Sequence, residues 1–124
     1  MDVFGFSITD VPMLIKELME KLGTHNETYD YFALHQANIY ILRQISRKLK
    51  IPFDKIPVSL DRYGNNSSNS IPMVLSDHFG NLKGGSIRTM MSGFGAGLSW
   101  ACCDANLEVD KIFSPVFTDE YYRT

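Results

Sequence analysis

Helix-like apolar patterns alternate with short strand-like runs along this sequence, and this alternation limits the fold more than any other feature. Between Asp10 and Gly23, apolar residues recur with the spacing of an amphipathic helix, and Pro12 is expected in its first turn, where proline is tolerated. The apolar run Tyr31–Leu34 predicts a strand, and residues 36–49 predict a second helix. The buried stripe predicted for that helix consists of Ile39, Leu42, Ile45 and Leu49.

The second half of the sequence continues the alternation. Residues 56–60 predict another strand and residues 71–79 a third helix. The residues available to cap this helix are Ser67, Ser68 and Ser70. Residues 86–107 predict two antiparallel strands joined by a glycine-rich bend. We therefore expect an α/β fold with a mixed sheet of about four strands and covering helices, whose first strand is missing or supplied by another segment.

The overall charge argues against several classes of partner. The sequence contains twelve Lys and Arg and fourteen Asp and Glu. The resulting net charge of −2 provides no global field to attract nucleic acid or an anionic membrane. The apolar runs are far shorter than the roughly 20 residues that a membrane-spanning helix needs. With 124 residues and 44% hydrophobic content, the chain suits a single domain, and we expect a cytoplasmic protein without a nucleic-acid or membrane partner.

The two cysteines, Cys102 and Cys103, are adjacent in the sequence. Adjacent cysteines have poor geometry for an ordinary disulfide, and they match no paired spacing of zinc ligands. We therefore expect two buried thiols and no metal site.

Residues 61–72 carry more hydrogen-bonding capacity than a bend requires. Seven consecutive positions, 64–70, hold one Gly, three Asn and three Ser. A turn needs one or two such residues, so the stretch is either a long solvated loop or a polar site. It lies between a predicted strand end and a predicted helix start, where open α/β sheets place ligands. Taken alone, His35 is typical of a histidine at a strand end and Asn65 of a turn.

Three motifs give the sequence a family resemblance. "HQAN" at residues 35–38, "LDRYGNNSSNSIP" at 60–72 and "GFGAGLSW" at 93–100 resemble, in order and spacing, the C-terminal half of β-ketoacyl-acyl-carrier-protein synthase III, a thiolase-fold condensing enzyme. The His and Asn of that family are thirty residues apart, as His35 and Asn65 are here. The resemblance implies half of a thiolase-like fold over residues 1–108, followed by a C-terminal extension over residues 109–124.

The resemblance also implies the chemistry. His35 and Asn65 would donate hydrogen bonds to the thioester oxygen of a malonyl group and stabilise the enolate that decarboxylation leaves. A Cys in an N-terminal half would carry the acyl group that the carbanion attacks. Acyl-coenzyme A or acyl-carrier-protein thioesters would be the substrates in fatty acid or related biosynthesis, with no separate cofactor. The implied partners are the missing N-terminal half and a second copy in a homodimer.

Further residues are candidates for substrate binding. Asn38 belongs to the first motif, and the loop that lines the acyl site in the family corresponds to Gly95, Ala96 and Gly97, beside the expected core aromatics Phe94 and Trp100. Arg47 and Lys48 fall at positions that are basic in the family, and they could meet an acidic carrier or a coenzyme A phosphate or simply form a solvated helix face. Tyr40 replaces a basic residue that helps bind the carrier protein in well-known members.

The sequence also departs from the family. Neither Cys102 nor Cys103 aligns with the family nucleophile, because both lie in the last predicted strand. The resemblance places the absent strand between the strand ending at His35 and the one near Ile87. Two alternatives to a catalytic chain therefore stay open: a non-catalytic partner subunit, and a domain that only binds acyl thioesters.

The C-terminal extension is too apolar for a solvated chain end. Its apolar residues are Ile112, Phe113, Val116, Phe117, Tyr121 and Tyr122. We expect it to pack on the domain or on a partner.

Overall fold

The computed structural model describes residues 2–121, in which four helices surround a mixed three-stranded sheet. The helices are α1 (Val3–Leu22), α2 (Ile39–Leu49), α3 (Leu60–Tyr63) and α4 (Ser70–Phe79). The strands are β1 (Tyr31–Leu34), β2 (Ser86–Gly95) and β3 (Ser99–Glu108). β2 lies in the centre, parallel to β1 and antiparallel to β3. The predicted α/β class is confirmed.

Helix α1 begins earlier than the sequence pattern predicts. Asp2 caps it by accepting a 3.0 Å hydrogen bond from the Phe4 N–H, so Pro12 lies in the helix interior and not in its first turn. The helix ends at Gly23, whose φ of 67° belongs to the left-handed region that glycine adopts readily. No helix in the described part of the chain is long and apolar enough to cross a membrane.

Helix α2 begins three residues later than predicted, because its cap is Asn38. The Asn38 Oδ1 accepts a 2.9 Å hydrogen bond from the Ile41 N–H, which satisfies a donor that would otherwise lack a partner in the first turn. Ile39 is 43% exposed and Ile41 only 5%, so the predicted buried stripe is wrong at Ile39. The remaining stripe residues are buried as expected.

The predicted strand over residues 56–60 does not form, and the sheet has three strands instead of about four. The backbone at Ile56 is extended, with φ −105° and ψ 103°, but Pro57 has no N–H to give to a ladder. The buried side chain of Gln36 takes the place of a neighbouring strand, since its Nε2 donates to the Pro57 carbonyl at 3.2 Å.

Strands β1 and β2 are direct neighbours. Their register pairs Tyr31 with Thr89 and Leu34 with Ser92. The expectation of an absent strand between them is therefore wrong for this structure, because the two strands satisfy each other's backbone groups. Most of β1 is buried, which is typical of a short parallel strand covered on both faces.

The predicted hairpin and third helix are both present. β2 and β3 pair from Ser86↔Glu108 to Gly95↔Ser99, and a turn over residues 96–98 joins them. Helix α4 spans the predicted apolar positions, but its cap is Asn69, and no side chain donates or accepts there. The predicted caps do not act as such, because Ser67–Asn69 form a 3₁₀ turn that leads directly into α4.

Two clusters form the core. The larger one packs α1 and α2 on the sheet around Ile15, Phe32, Leu42, Ile45 and Met90. The smaller one is formed by Phe79, Ile87 and Val109.

The apolar residues of β3 pack at the margin of these clusters or are exposed. Cys102 is half-buried and Cys103 is exposed, so the prediction of two buried thiols is wrong for Cys103. Because alternate residues of this edge strand face opposite sides, only one of the adjacent cysteines can face α1. Trp100 is 41% exposed and covers Phe6 at a centroid distance of 5.2 Å, so it is a rim residue and not a core aromatic.

The C-terminal extension is buried against the domain at its start, and farther along Phe117 stacks on the Tyr63 ring at a centroid distance of 6.5 Å. Val109 is buried, Ile112 contacts the smaller core cluster, and the Ser114 backbone crosses Gly80 so closely that an added Cβ would collide with the Ser114 nitrogen. Four large side chains of the extension are exposed, namely Phe113, Val116, Phe117 and Tyr121. For these residues the partner alternative of the prediction stays a prediction, and Tyr122 lies outside the described residues.

Candidate active site

A cavity of about 670 Å³ opens where β1 and β2 end and α4 begins. The predicted site residues in its lining are His35, Asn38, Asn65, Gly95 and Ala96. The structure therefore brings together side chains and backbone from all three sequence motifs. Its size is suitable for a small ligand or for part of a larger one.

The remaining predicted site residues lie outside this lining. Gly97 belongs to the turn that follows Ala96. Arg47 and Lys48 are exposed in the last turn of α2, whereas Asn38 caps its first turn. At the rise of an α-helix, nine residues separate Asn38 from Arg47 by roughly 14 Å. These two cations are therefore not in contact with a group bound at His35.

His35 is held in place by three contacts. Its backbone N–H donates to the Ser92 carbonyl at 2.9 Å, which fixes the residue at the end of β1. Its ring Nδ1 lies 2.5 Å from the Ser70 Oγ, and its ring meets the Phe94 ring edge-on at 5.3 Å and 87°. Burial lowers the pKa of His35 below its ordinary value, because the imidazolium loses hydration. Burial therefore favours the neutral form of His35.

Asn65 follows a glycine that the backbone requires. Gly64 has φ 66° and ψ −160°, a conformation open to glycine but to few other residues. The Asn65 Oδ1 accepts a 2.9 Å hydrogen bond from the Ser67 N–H, and its Nδ2 is 3.5 Å from the Ala37 carbonyl. The carbonyl end of the amide is therefore engaged, and the NH₂ end is available to donate to a ligand.

The site holds neutral donors and no nucleophilic thiol. Cysteine is absent from the cavity lining in the described part of the chain. Within residues 2–121, no three His, Cys, Asp or Glu side chains are grouped as metal ligands would be. An imidazole and a carboxamide can bind and polarise a carbonyl oxygen, but the described lining contains no thiol that could carry an acyl group as a thioester.

Sequence reasoning missed two residues of this site. Ser70 was expected only as a possible helix cap, but its hydroxyl contacts the His35 ring. Phe94 was expected as a core aromatic, and it is 8% exposed, but it also forms a wall of the cavity. The position of Ser70 five residues after Asn65, in the same polar stretch, is the only sequence signal that could have indicated its role.

Comparison with known proteins assigns the family. Residues 19–106 match the family described as 3-oxoacyl-[acyl-carrier-protein] synthase III C terminal. The β-ketoacyl-[acyl-carrier-protein] synthase III of Streptococcus gordonii is 45% identical over 101 residues, which cover 79% of this chain and 31% of that protein. The enzyme of the same name from Lactococcus lactis subsp. cremoris is 38% identical over 108 residues, which cover 85% of this chain and 33% of that protein.

Solved structures agree with this assignment. A 3-oxoacyl-(acyl-carrier protein) synthase from Burkholderia xenovorans superposes with a TM-score of 0.83 and 32% identity, over 90% of this chain and 32% of that one. A priming β-ketosynthase of a polyketide pathway superposes with a TM-score of 0.74 and 32% identity, over 85% of this chain and 32% of that one. The chain belongs to the family of C-terminal domains of 3-oxoacyl-[acyl-carrier-protein] synthase III, which has the thiolase fold. It spans about one third of the length of the relatives that it matches.

Proposed function

We propose that this chain supplies the oxyanion half of an active site that condenses an acyl-enzyme thioester with a malonyl thioester. The observation that carries the proposal is the meeting of His35 and Asn65 at one cavity, each with a neutral nitrogen available to a ligand. The family membership supports a condensing enzyme of fatty acid or related biosynthesis.

In the proposed reaction, the malonyl thioester binds with its carbonyl oxygen between His35 and Asn65. The bond between the α-carbon and the carboxylate breaks, CO₂ leaves, and the electron pair forms an enolate. Two positioned donors stabilise the charge that develops on the thioester oxygen. The α-carbon then attacks the acyl group on a cysteine, and the cysteine thiolate leaves. Phe94 keeps this side of the cavity apolar, which disfavours the charged carboxylate relative to CO₂.

The proposal assigns the acyl-carrying cysteine to a partner segment, the N-terminal half, because no described cysteine reaches the cavity. A second copy in a homodimer belongs to the same proposal. The bend at Gly95, Ala96 and Gly97 would contact the acyl group. Asn38 would bind the substrate through its Nδ2 as a hydrogen-bond donor, because its Oδ1 already accepts the hydrogen bond from the Ile41 N–H that caps α2. Arg47 and Lys48 would bind a coenzyme A phosphate or an acidic carrier outside the cavity.

A reconstituted enzyme tests the proposal. The chain is combined with the cysteine-bearing N-terminal segment of a related synthase III, and single-turnover acylation and malonyl decarboxylation are measured separately. His35→Ala and Asn65→Ala should each lower decarboxylation by about 10²- to 10³-fold, the usual effect of removing one oxyanion donor. Acylation of the cysteine should survive better, because both donors serve the second substrate.

Matched controls use residues away from the cavity. His25→Ala and Asn106→Ala change an exposed histidine and an exposed asparagine, and both should leave decarboxylation unchanged. Unimpaired decarboxylation in both site variants would refute the mechanism, and so would condensation by the 124-residue chain alone. Binding of acyl thioesters without decarboxylation in the reconstituted wild type would favour the binding-only alternative.

A further inference from the structure

We propose that Ser70 is a positioning residue whose hydroxyl decides which ring nitrogen of His35 carries the proton. The Ser70 Oγ lies 2.5 Å from the His35 Nδ1 and 2.7 Å from the Ser67 carbonyl oxygen. Ser70 is 1% exposed, so bulk water does not compete for its hydroxyl. One hydroxyl proton therefore has two possible acceptors.

The hydrogen bond from Ser70 to the Ser67 carbonyl favours one resting tautomer of His35. A carbonyl oxygen can only accept, so the Ser70 hydroxyl donates its single proton to Ser67. The contact with His35 must then be a hydrogen bond in which Nδ1–H donates to the Ser70 oxygen. A neutral imidazole carries one ring proton, so Nε2 is left with a lone pair. In this state His35 can accept a hydrogen bond from a ligand in the cavity but cannot donate one.

The second state requires only rotation of the hydroxyl and relocation of the ring proton. If the Ser70 hydroxyl turns to Nδ1, the ring proton resides on Nε2, and the net charge of the imidazole is unchanged. The Ser67 carbonyl keeps a partner in both states, because it also accepts the Ser70 backbone N–H. Neither state therefore leaves that oxygen unsatisfied, and a ligand that prefers one state can shift the balance.

The two states have different uses. With the proton on Nε2, His35 donates to a bound carbonyl oxygen, and this is the form that the proposed decarboxylation needs. A carbonyl ligand thus has to select the minor tautomer and turn the Ser70 hydroxyl. This second step rests on the proposed function, whereas the resting tautomer rests on the geometry alone.

Long-range ¹H–¹⁵N correlation spectra of the 124-residue chain, labelled at the histidine ring nitrogens, read the tautomer directly. Spectra are recorded above the pKa of His35, and His35→Gln identifies its signals among the three histidines. We expect a protonated Nδ1 and an unprotonated Nε2 in the wild type. Ser70→Ala should restore the Nε2–H form that neutral imidazole favours in water, and Ser70→Thr, which keeps the hydroxyl, should retain the wild-type pattern.

Controls separate a local effect from a general one. Ser68→Ala removes an exposed hydroxyl from the same stretch and should leave the His35 signals unchanged. A wild-type His35 that carries its proton on Nε2 would overturn the inference even if Ser70→Ala does not fold. An Nδ1–H signal that persists in a folded Ser70→Ala variant would overturn it as well.

The last measurement adds acetyl-coenzyme A to the labelled chain. This ligand has a thioester carbonyl but no carboxylate, so it cannot be decarboxylated during the measurement. Its addition should move the His35 proton to Nε2 in the wild type. A saturating ligand that leaves the Nδ1–H pattern in place would contradict the ligand-driven step and the proposed donor role of His35. The assignment of the resting tautomer to Ser70 would still be decided by the apo spectra, so the two failures are distinguishable.

Discussion

The buried amide of Gln36 accepts a 2.9 Å hydrogen bond from the backbone N–H of Ser59. The same side chain donates from Nε2 to the carbonyls of Leu34 and Pro57, at 2.9 and 3.2 Å. These bonds tie the end of β1, where His35 follows, to the segment that leads through α3 to Asn65. Gln36 is therefore the physical link between the two residues to which we assign catalysis.

Removing this link should destabilise the fold. Gln36→Leu leaves the Ser59 N–H and the Pro57 carbonyl without their partner in a buried region, at a cost of about 2–4 kcal/mol in the free energy of unfolding. Chemical denaturation measures this loss. Gln36→Glu is the matched variant, because it keeps the acceptor for Ser59 and loses both donors. A change below about 1 kcal/mol for Gln36→Leu would contradict the assigned role.

The lowered pKa of His35 predicts the direction of a pH effect on stability. Its folded pKa lies below the unfolded value of about 6.5, so the unfolded chain binds the proton more readily as the pH falls through that value. Above that pH range, His35 is unprotonated in both the folded and the unfolded chain, so its titration does not change the free energy of unfolding. On acidification, proton binding by the unfolded chain lowers the free energy of unfolding. Unfolding free energies measured from about pH 8 down to about pH 5 should show this decline, and it should be weaker in His35→Gln. An identical pH profile in the variant would be inconsistent with burial of the neutral ring.

Asp104 should stabilise the sheet through two partners on different elements. It accepts a 2.8 Å hydrogen bond from the buried Tyr29 hydroxyl and pairs with Arg88 at 2.7 Å. Arg88, by its hydrogen bond, and to a lesser degree Tyr29 hold the pKa of Asp104 below its usual range. Asp104→Ala should lower the unfolding free energy by about 1–3 kcal/mol, because the Tyr29 hydroxyl loses an acceptor.

A double-mutant cycle separates the Tyr29 contact from the ion pair. In Tyr29→Phe the hydroxyl is absent, so Asp104→Ala should cost less in that background than in the wild type. Strictly additive losses from the two substitutions would show that the hydrogen bond between them contributes nothing.

Two truncations should separate the packed start of the C-terminal extension from its exposed remainder. Ending the chain after Glu108 removes the buried Val109 and the partly buried Ile112, and it should lower stability by about 2–4 kcal/mol. Ending it after Ser114 removes large side chains that are exposed wherever the structure describes them, so the thermal unfolding midpoint should hardly change. Equal midpoints for the two truncations would contradict the observed packing of residues 109–114.

Local patterns were enough to predict most of the elements. Helical spacing in α1, α2 and α4, the apolar run of β1 and the glycine-rich bend of the hairpin all depend on residues close in sequence. The position of His35 at the end of β1 and of the polar stretch at the start of α4 was predicted, but the strand predicted before Asn65 does not form, so the rule of neighbouring strand ends explains only the place of His35.

What the sequence could not predict depends on contacts between distant segments. Residues 56–60 have strand-like composition, but the side chain of Gln36 occupies their hydrogen-bonding groups from more than twenty positions away. The exposure of Cys103 follows from the position of β3 at the sheet edge, which no local pattern records. The Ser70 contact with His35 likewise joins residues 35 positions apart.

The close crossing of Gly80 and Ser114 fixes the point at which the C-terminal extension leaves the domain. Any side chain at position 80 would collide with the crossing backbone, so the extension leaves the domain from one fixed point. Beyond that point, the seven residues 115–121 span at most about 25 Å when fully extended. Phe117 and Tyr121 therefore have to find any binding partner within that distance of Ser114, and Phe117 turns back to lie against Tyr63.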